Sequence, residues 1–138
     1  MIEVKFRAMQ KPGKTVLDMG YKSKMVYGTG FIKDPINIWL ISSDQTKAIA
    51  FGEKQQIIDP DTIGQFIGLR DKNGKEIYEG DCKKHIGKTC VLEYIESRAS
   101  FMWVLRLEGR TQEFIYPIDS KNDEVIGNIH ENPELKFA

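Results

Sequence analysis

Four carboxylates between residues 71 and 81 are the side chains of this chain best placed for general acid/base chemistry or for binding Mg²⁺. They are Asp71, Glu76, Glu79 and Asp81. The same stretch also has the composition of tight turns, in which an aspartate accepts hydrogen bonds from nearby backbone N–H groups. We therefore predict no catalytic residues here. The predicted structural turn residues are Asp71, Asn73, Gly74, Gly80 and Asp81.

Cys82, His85 and Cys90 are the other residues whose types could do chemistry, as metal ligands or as a nucleophile with its base. A structural zinc site needs four ligands, usually with two cysteines in a CxxC knuckle, and this stretch has no such knuckle. The two cysteines lie symmetrically about Ile86, which predicts that they face each other across a short hairpin. We expect both thiols to be reduced and partly buried, with no metal bound. No dinucleotide or P-loop pattern occurs, so no cofactor is predicted.

Aromatic and basic side chains suggest binding rather than catalysis. Phe101 and Trp103, and then Phe114 and Tyr116, lie two residues apart on runs with strand character, so each pair points to one face. That pattern is typical of a barrel core and also of an exposed platform for a peptide or single strand. Lysines and arginines on neighbouring turns, Lys88 among them, would form a basic rim. The candidate binding residues are Arg70, Lys72, Lys75, Lys83, Lys84, Trp103 and Tyr116.

The composition is that of a globular protein. Of the 138 residues, 41% are hydrophobic and 29% charged, and Lys+Arg and Asp+Glu each total 20, so the net charge is zero. Most dedicated nucleic-acid binders carry a basic excess. Because this chain has no such excess, nucleic-acid binding would require a local basic face. No apolar run approaches the ~20 residues of a membrane helix, and charges interrupt the N-terminus where a signal peptide is apolar. We expect a cytoplasmic protein.

Short strands separated by tight turns dominate the pattern. Asn73-Gly74 between hydrophobic runs is a strong hairpin signal, and a type I′ turn would require positive φ at both residues. Strands are predicted over residues 63–70, 75–78, 82–84, 88–93, 100–107, 113–118 and 124–129, with a tail over 130–138. This spacing predicts a small closed barrel.

The best internal boundary is the turn, or single helical turn, Asp59-Pro60-Asp61-Thr62. It divides the chain into a smaller N-terminal β-rich meander, residues 1–58, and a C-terminal barrel, residues 59–138. In the N-terminal part we predict turns or loops at 11–14 and 42–46, and strands over 2–8, 23–31, 36–41 and 47–51. The first of these strands alternates apolar and charged residues, which predicts one solvated face.

Three stretches of the sequence carry a family resemblance. They are Lys5-Phe6-Arg7-Ala8 followed by Lys24-Met25-Val26-Tyr27, the long stretch from Thr62-Ile63-Gly64-Gln65-Phe66 to Gly80-Asp81, and Val125-Ile126-Gly127-Asn128-Ile129 with Glu131-Asn132-Pro133-Glu134-Leu135. With these stretches the chain resembles the YopX family of bacteriophage and prophage proteins. The resemblance implies that the C-terminal barrel is SH3-like and that an N-terminal β-rich part precedes it. It carries over no catalytic residues.

Two departures from the family pattern lie near the N-terminus. Met9 stands where the family usually has an aromatic residue, and the link from Met9 to Lys22 is longer than usual.

The strand pattern, the family resemblance and the lack of a catalytic motif together predict a non-enzymatic accessory protein. It would bind a protein or nucleic-acid partner through its small β-barrel, with no membrane association. The alternatives are a metal-dependent hydrolase that uses Asp71, Glu79 or Asp81, and a structural protein that forms homo-oligomers.

Overall fold

A computed structural model of the chain describes residues 3–10, 25–33, 38–41, 55–107 and 112–137. The architecture is mainly β, with a curled half-barrel sheet and a second sheet. The prediction of a mainly β fold is confirmed. The chain divides into two compact units, Glu3–Gln65 and Phe66–Ala138. The predicted domain boundary at residue 59 stays a prediction. Among the described residues, no helix has the length and apolarity needed to cross a membrane.

The described residues of the first unit form five short strands and the beginning of a sixth. They are β1 (Phe6–Met9), β2 (Met25–Gly28), β3 (Gly30–Lys33), β4 (Ile38–Ile41) and β5 (Gln55–Ile58). β1 pairs antiparallel with β2 and with the first residues of β6, while β3, β4 and β5 form an antiparallel meander. β5 was not predicted, because Gln-Gln-Ile-Ile lacks both the alternation and the β-branched run that mark a strand.

The core of this unit is small. Ala8 and Ile58 are fully buried, and the partly buried side chains of Phe6, Phe31 and others pack against them. The rings of Phe6 and Phe31 lie 4.9 Å apart. The prediction that the charged residues of the first strand lie on a solvated face is wrong for Arg7, which is only 2% exposed.

A 3-10 helix, Pro60–Thr62, follows β5 at the predicted turn. Asp59 caps it, since one of its carboxylate oxygens accepts a hydrogen bond from the N–H of Asp61 at 3.0 Å. Thr62 then joins this turn to β1, because its hydroxyl accepts a 2.8 Å hydrogen bond from the N–H of Met9. The predicted single helical turn is therefore confirmed, and β-bonding resumes two residues after it.

Seven strands lie in the second unit over the ranges that the structure describes, and the first of them begins in the preceding unit. They are β6 (Gly64–Arg70), β7 (Glu76–Tyr78), β8 (Asp81–His85), β9 (Lys88–Ile95), β10 (Ser100–Arg106), β11 (Gln112–Ile115) and β12 (Gly127–Asn128). β6 and β7 form a hairpin. The remaining five form an antiparallel sheet in the order β11-β10-β9-β8-β12.

The main hydrophobic cluster of the second unit lies on one face of this sheet, while Val91, Met102 and Val104 are buried on the other face. The buried side chains of the main cluster are Ile77, Cys90, Leu92, Trp103, Leu105 and Val125. Members of this set come from β7, β9 and β10 and from the segment before β12, so the β6–β7 hairpin and the five-stranded sheet share one core. Burial of this apolar surface is the main stabilising term for such a unit.

Most of the predicted strands of this unit exist, but the last ones are shorter. The strand predicted over 113–118 ends at Ile115, because Pro117 begins a 3-10 helix, Pro117–Asn122. The strand predicted over 124–129 is reduced to Gly127–Asn128, and the predicted tail contains another 3-10 helix, Pro133–Phe137. Several predictions lie outside the described residues: the turns or loops at 11–14 and 42–46, the strand at 47–51 and most of the link between Met9 and Lys22.

Candidate functional site

Asp71 binds backbone rather than presenting a free carboxylate. One oxygen accepts hydrogen bonds from the N–H groups of Asn73 at 2.9 Å and Lys75 at 3.0 Å, and the other accepts one from Val125 at 2.9 Å. The residue is 5% exposed. Burial by itself raises the pKa of this carboxyl, but the backbone N–H groups of Val125, Lys75 and Asn73 stabilise the charged form and hold the pKa below its ordinary value. Asp71 therefore joins a turn to a segment far along the chain.

The turn does not take the type I′ form, which would require positive φ at both Asn73 and Gly74. The N–H of Gly74 donates to the carbonyl of Asp71 at 3.0 Å, and the N–H of Asp71 donates to the carbonyl of Lys75 at 2.9 Å. Gly74 has a φ of +79°, whereas Asn73 is not among the residues with positive φ. This is the pattern of a type I turn followed by a glycine bulge, which needs only one left-handed residue.

Asp81 lies inside the unit and also binds backbone. It is fully buried, and it accepts a 2.8 Å hydrogen bond from the N–H of Tyr78. Gly80 precedes it with a φ of +94° and donates its N–H to the carbonyl of Leu92 at 2.8 Å. The structure therefore places the carboxylates of Asp71 and Asp81 in turn stabilisation, not in one open acidic cluster.

Carboxylates neutralise much of the predicted basic rim. Three of the predicted cations form ion pairs: Arg70 with Glu76 at 3.4 Å, Lys72 with Glu124 at 3.1 Å and Lys83 with Asp123 at 2.8 Å. Lys75 and Lys84 are exposed and have no ion pair within the described part of the chain. Two of the three acidic partners, Asp123 and Glu124, come from a distant part of the sequence, and the rim is thus reduced to separate lysines on separate hairpins.

Trp103 and Lys83, two of the candidate binding residues, are buried. Trp103 is 0% exposed and belongs to the core, and the ammonium of Lys83 lies 5.1 Å from the centroid of its ring. A cation over an aromatic face is attracted by the ring quadrupole, and this interaction strengthens when both groups are withdrawn from water. Together with Asp123, these side chains form an internal polar contact and offer no surface to a partner.

The two aromatic pairs lie on opposite faces of the sheet. Trp103 is directly opposite Ile115 and Val104 is opposite Phe114, so the face that carries Trp103 does not carry Phe114. Phe101 is partly buried against the core, whereas Phe114 lies under the guanidinium of Arg98 at 5.0 Å. Tyr116 is 50% exposed. The aromatic residues therefore do not combine into one platform, and only Tyr116 keeps a large exposed surface among the candidate binding aromatics.

The two cysteines are free and buried, but they do not face each other. In the β8–β9 hairpin, Cys82 is opposite Val91, while Cys90 is opposite Lys83. The predicted register is wrong by one residue, and such a shift moves a side chain to the other face of a sheet. Burial raises the pKa of the Cys90 thiol, which disfavours the reactive thiolate. Within the described ranges, no three His, Cys, Asp or Glu side chains converge to hold a metal ion.

Sequence reasoning missed the tip of the β8–β9 hairpin, where Ile86 served only as a midpoint between cysteines. Its two-residue loop, Ile86-Gly87, has a φ of 52° at the first position and 75° at the second. Ile86 is 85% exposed, and exposed Lys84 and Lys88 flank it in sequence. The feature of the sequence that could have identified this tip is Ile86 followed by Gly87, between two strands that contain lysines.

The family model for YopX protein matches residues 5–135, nearly the whole chain. The chain belongs to the YopX family. No curated protein matches it significantly. The YopX match covers both compact units.

Proposed function

We propose that this YopX protein is a non-enzymatic phage or prophage accessory protein of the bacterial cytoplasm. Its Phe66–Ala138 unit would act as an SH3-like small β-barrel that binds a protein or nucleic-acid partner. One observation carries the proposal. Two of the four acidic side chains suited to chemistry, Asp71 and Asp81, are buried and bound to backbone N–H groups, whereas Lys75, Lys84 and Lys88 on two hairpins extend into solvent.

Strand order and core support the barrel. A five-stranded antiparallel sheet and the β6–β7 hairpin bury one set of side chains, among them Ile77 from the hairpin and Trp103 from the sheet. Small barrels of this kind use their loops and hairpin tips for recognition, because the strands themselves are occupied by the core. Arg70, Lys72, Lys75, Lys84 and Tyr116 stay in the proposed binding surface.

The hydrolase alternative loses two of its three residues. Asp71 and Asp81 accept backbone hydrogen bonds, and a carboxylate that leaves these bonds to reach a metal or substrate would leave buried N–H groups unsatisfied. We infer that substitution of either aspartate lowers the melting temperature and removes no activity. A nuclease or phosphatase activity that is present in the wild type and lost in Asp81→Asn would instead favour the hydrolase.

Self-association is a second candidate, and one observation favours it. β11 is the end strand of the five-stranded sheet as described, and an end strand presents backbone groups that can pair with another chain. Pro117, directly after Tyr116, limits the length of such pairing. Multi-angle light scattering over a range of concentrations tests this role, and a monomer at all concentrations would exclude it.

The binding proposal is tested by titration and by pull-down with matched variants. Fluorescence titrations with single-stranded DNA, duplex DNA and RNA at low salt, and pull-downs from host cells, should each be done with wild type and with Lys75→Gln/Lys84→Gln. We expect at least one specific partner, whose binding weakens in the variant. If no nucleic acid binds and no captured protein discriminates between wild type and variant, the proposed function is wrong.

A further inference from the structure

The tip of the β8–β9 hairpin has a sequence that its own backbone does not favour. His85 and Lys88 form the last pair, and Ile86 and Gly87 make the loop with positive φ at both positions. Type I′ loops of this kind favour Asn-Gly or Asp-Gly, because asparagine and aspartate tolerate the left-handed region. A β-branched residue there is a steric outlier and costs folding free energy.

Packing does not compensate for this strain. The side chain of Ile86 is 85% exposed, so the folded unit gains little from burying it. Ile86 is therefore unfavourable in both its backbone conformation and its exposure. Strained residues of this kind cluster where a side chain is required for contact with something else.

The charges on either side of Ile86 indicate what that contact is. Lys84 is opposite Thr89 and Lys88 is opposite His85, so neighbouring pairs place the two lysines on opposite faces of the ribbon. Both lysines are exposed, and neither forms an ion pair with any carboxylate of the described ranges. The tip thus has an apolar apex with a cation on each side and no acidic residue between positions 84 and 88.

We propose that this tip binds duplex DNA by entering a groove. This inference rests on the proposed binding function and names its partner class. A two-stranded β-ribbon fits the major groove of B-DNA. Cations on opposite faces of such a ribbon point at the phosphates of opposite groove walls, and an apolar apex contacts base edges such as thymine methyl groups.

Two other partners fit the tip less well. An anionic membrane would also attract exposed lysines around an apolar residue, but the tip has no Trp or Tyr to anchor it at the lipid interface, and one isoleucine inserts little apolar surface. Duplex RNA has a deep and narrow major groove that side chains do not read. Duplex DNA is therefore the partner that both the charge distribution and the ribbon geometry favour.

The test of the lysines is a salt dependence measured with the full chain. Fluorescence anisotropy of a labelled DNA duplex gives the slope of log K against log[salt], to which each phosphate contact contributes about 0.9 in magnitude. We expect Lys84→Gln and Lys88→Gln each to reduce the slope by about one contact. Lys121→Gln, at an exposed lysine in the Pro117–Asn122 helix, is the matched control and should leave the slope unchanged.

Ile86→Asn separates binding from folding. Because asparagine suits the loop, we expect the melting temperature to rise by a few degrees. Loss of the apolar apex should weaken duplex binding about tenfold without changing the salt slope. Ile118→Asn, at a residue 91% exposed on another element, is the control and should change neither quantity by a comparable amount.

The outcomes separate this inference from the proposed function. Duplex binding with the same slope in wild type, Lys84→Gln and Lys88→Gln overturns the role of the tip and leaves a binding module. Preference for single-stranded DNA, or binding to vesicles of phosphatidylcholine and phosphatidylserine but not to DNA, also overturns it. If the wild type binds no nucleic acid, the inference is wrong, and the proposed function then depends on a protein partner alone.

Discussion

Replacement of Asp71 by asparagine should destabilise the Phe66–Ala138 unit without altering its shape. An asparagine amide has nearly the shape of the carboxylate, but it offers one oxygen where Asp71 uses two. The oxygen can still accept the hydrogen bonds of Asn73 and Lys75, and the NH₂ group would then face the N–H of Val125. Two donors would meet at a buried position that now holds a 2.9 Å hydrogen bond.

The magnitude follows from the loss of one charge-assisted hydrogen bond and the weakening of two others. A hydrogen bond to a charged group contributes roughly 1.5–3 kcal/mol, and an unsatisfied buried donor costs roughly 1–3 kcal/mol. These terms overlap because they describe the same contact, so we expect the free energy of unfolding to fall by about 3 kcal/mol. For a chain of this size, that corresponds to a decrease in melting temperature of roughly 10 °C.

The assay is urea denaturation of wild type and Asp71→Asn across a range of pH. The folded-state pKa of Asp71 lies below the ordinary value of 3.8, so its contribution is fully present above that value and is lost as pH falls through the folded pKa. The two proteins should therefore differ most near neutral pH, and the difference should shrink in acid. Asp61→Asn, at an exposed aspartate, is the control and should have little effect. Equal stabilities at pH 7, or a difference that does not change in acid, would refute the reasoning.

Further predictions concern packing, the internal ion pair and the thiols. Gly127→Ala should destabilise the unit, because a Cβ there would lie 2.6 Å from a side-chain oxygen. Gly30→Ala should lower the melting temperature much less, since the nearest atom to its Cβ would be 3.5 Å away. Thermal melts of the two variants would compare these effects. Lys83→Met should lower the free energy of unfolding by about 3 kcal/mol by leaving Asp123 without its partner, and a double-mutant cycle with Asp123→Asn should recover part of the loss. Additive losses in that cycle would argue against the pair. Cys90 should resist iodoacetamide at pH 8 until denaturant is added, and rapid labelling of the native protein would contradict its burial.

Elements with strong local signals could be predicted from the sequence. β9 and β10 are rich in β-branched and aromatic residues, so their existence follows from local preference. β12 could not be placed in this way. Its two residues pair with β8, where Asn128 is opposite Asp81. The N–H of Ile126, directly before β12, donates a hydrogen bond to the carbonyl of Cys82. These contacts are set by tertiary packing.

Turn types and register were harder to predict, because one residue of difference changes them. Asn73-Gly74 fits both a type I′ loop and a type I turn with a glycine bulge, and the carboxylate of Asp71 favours the second by accepting the N–H groups of Asn73 and Lys75. In the β8–β9 hairpin, the loop has two residues, not one, and this moves Cys82 and Cys90 to opposite faces.

The candidate site depended most on contacts that are distant in sequence. Asp123 and Glu124 neutralise Lys83 and Lys72, and no local pattern connects these residues. Ile86 is unusual because its φ is positive, and this backbone conformation could not be predicted from the residue type. Residue types therefore identified where cations and aromatics lie, and tertiary structure determined which of them remain available to a partner.

If the β8–β9 tip binds duplex DNA, residues 84–88 should respond to it directly. Two-dimensional ¹H–¹⁵N NMR of the full chain, titrated with duplex DNA, tests this residue by residue. We expect the largest shift changes at residues 84–88, with little change at Lys121 in the Pro117–Asn122 helix. Changes centred on another surface, or none at saturating DNA, would contradict the proposed role of the tip.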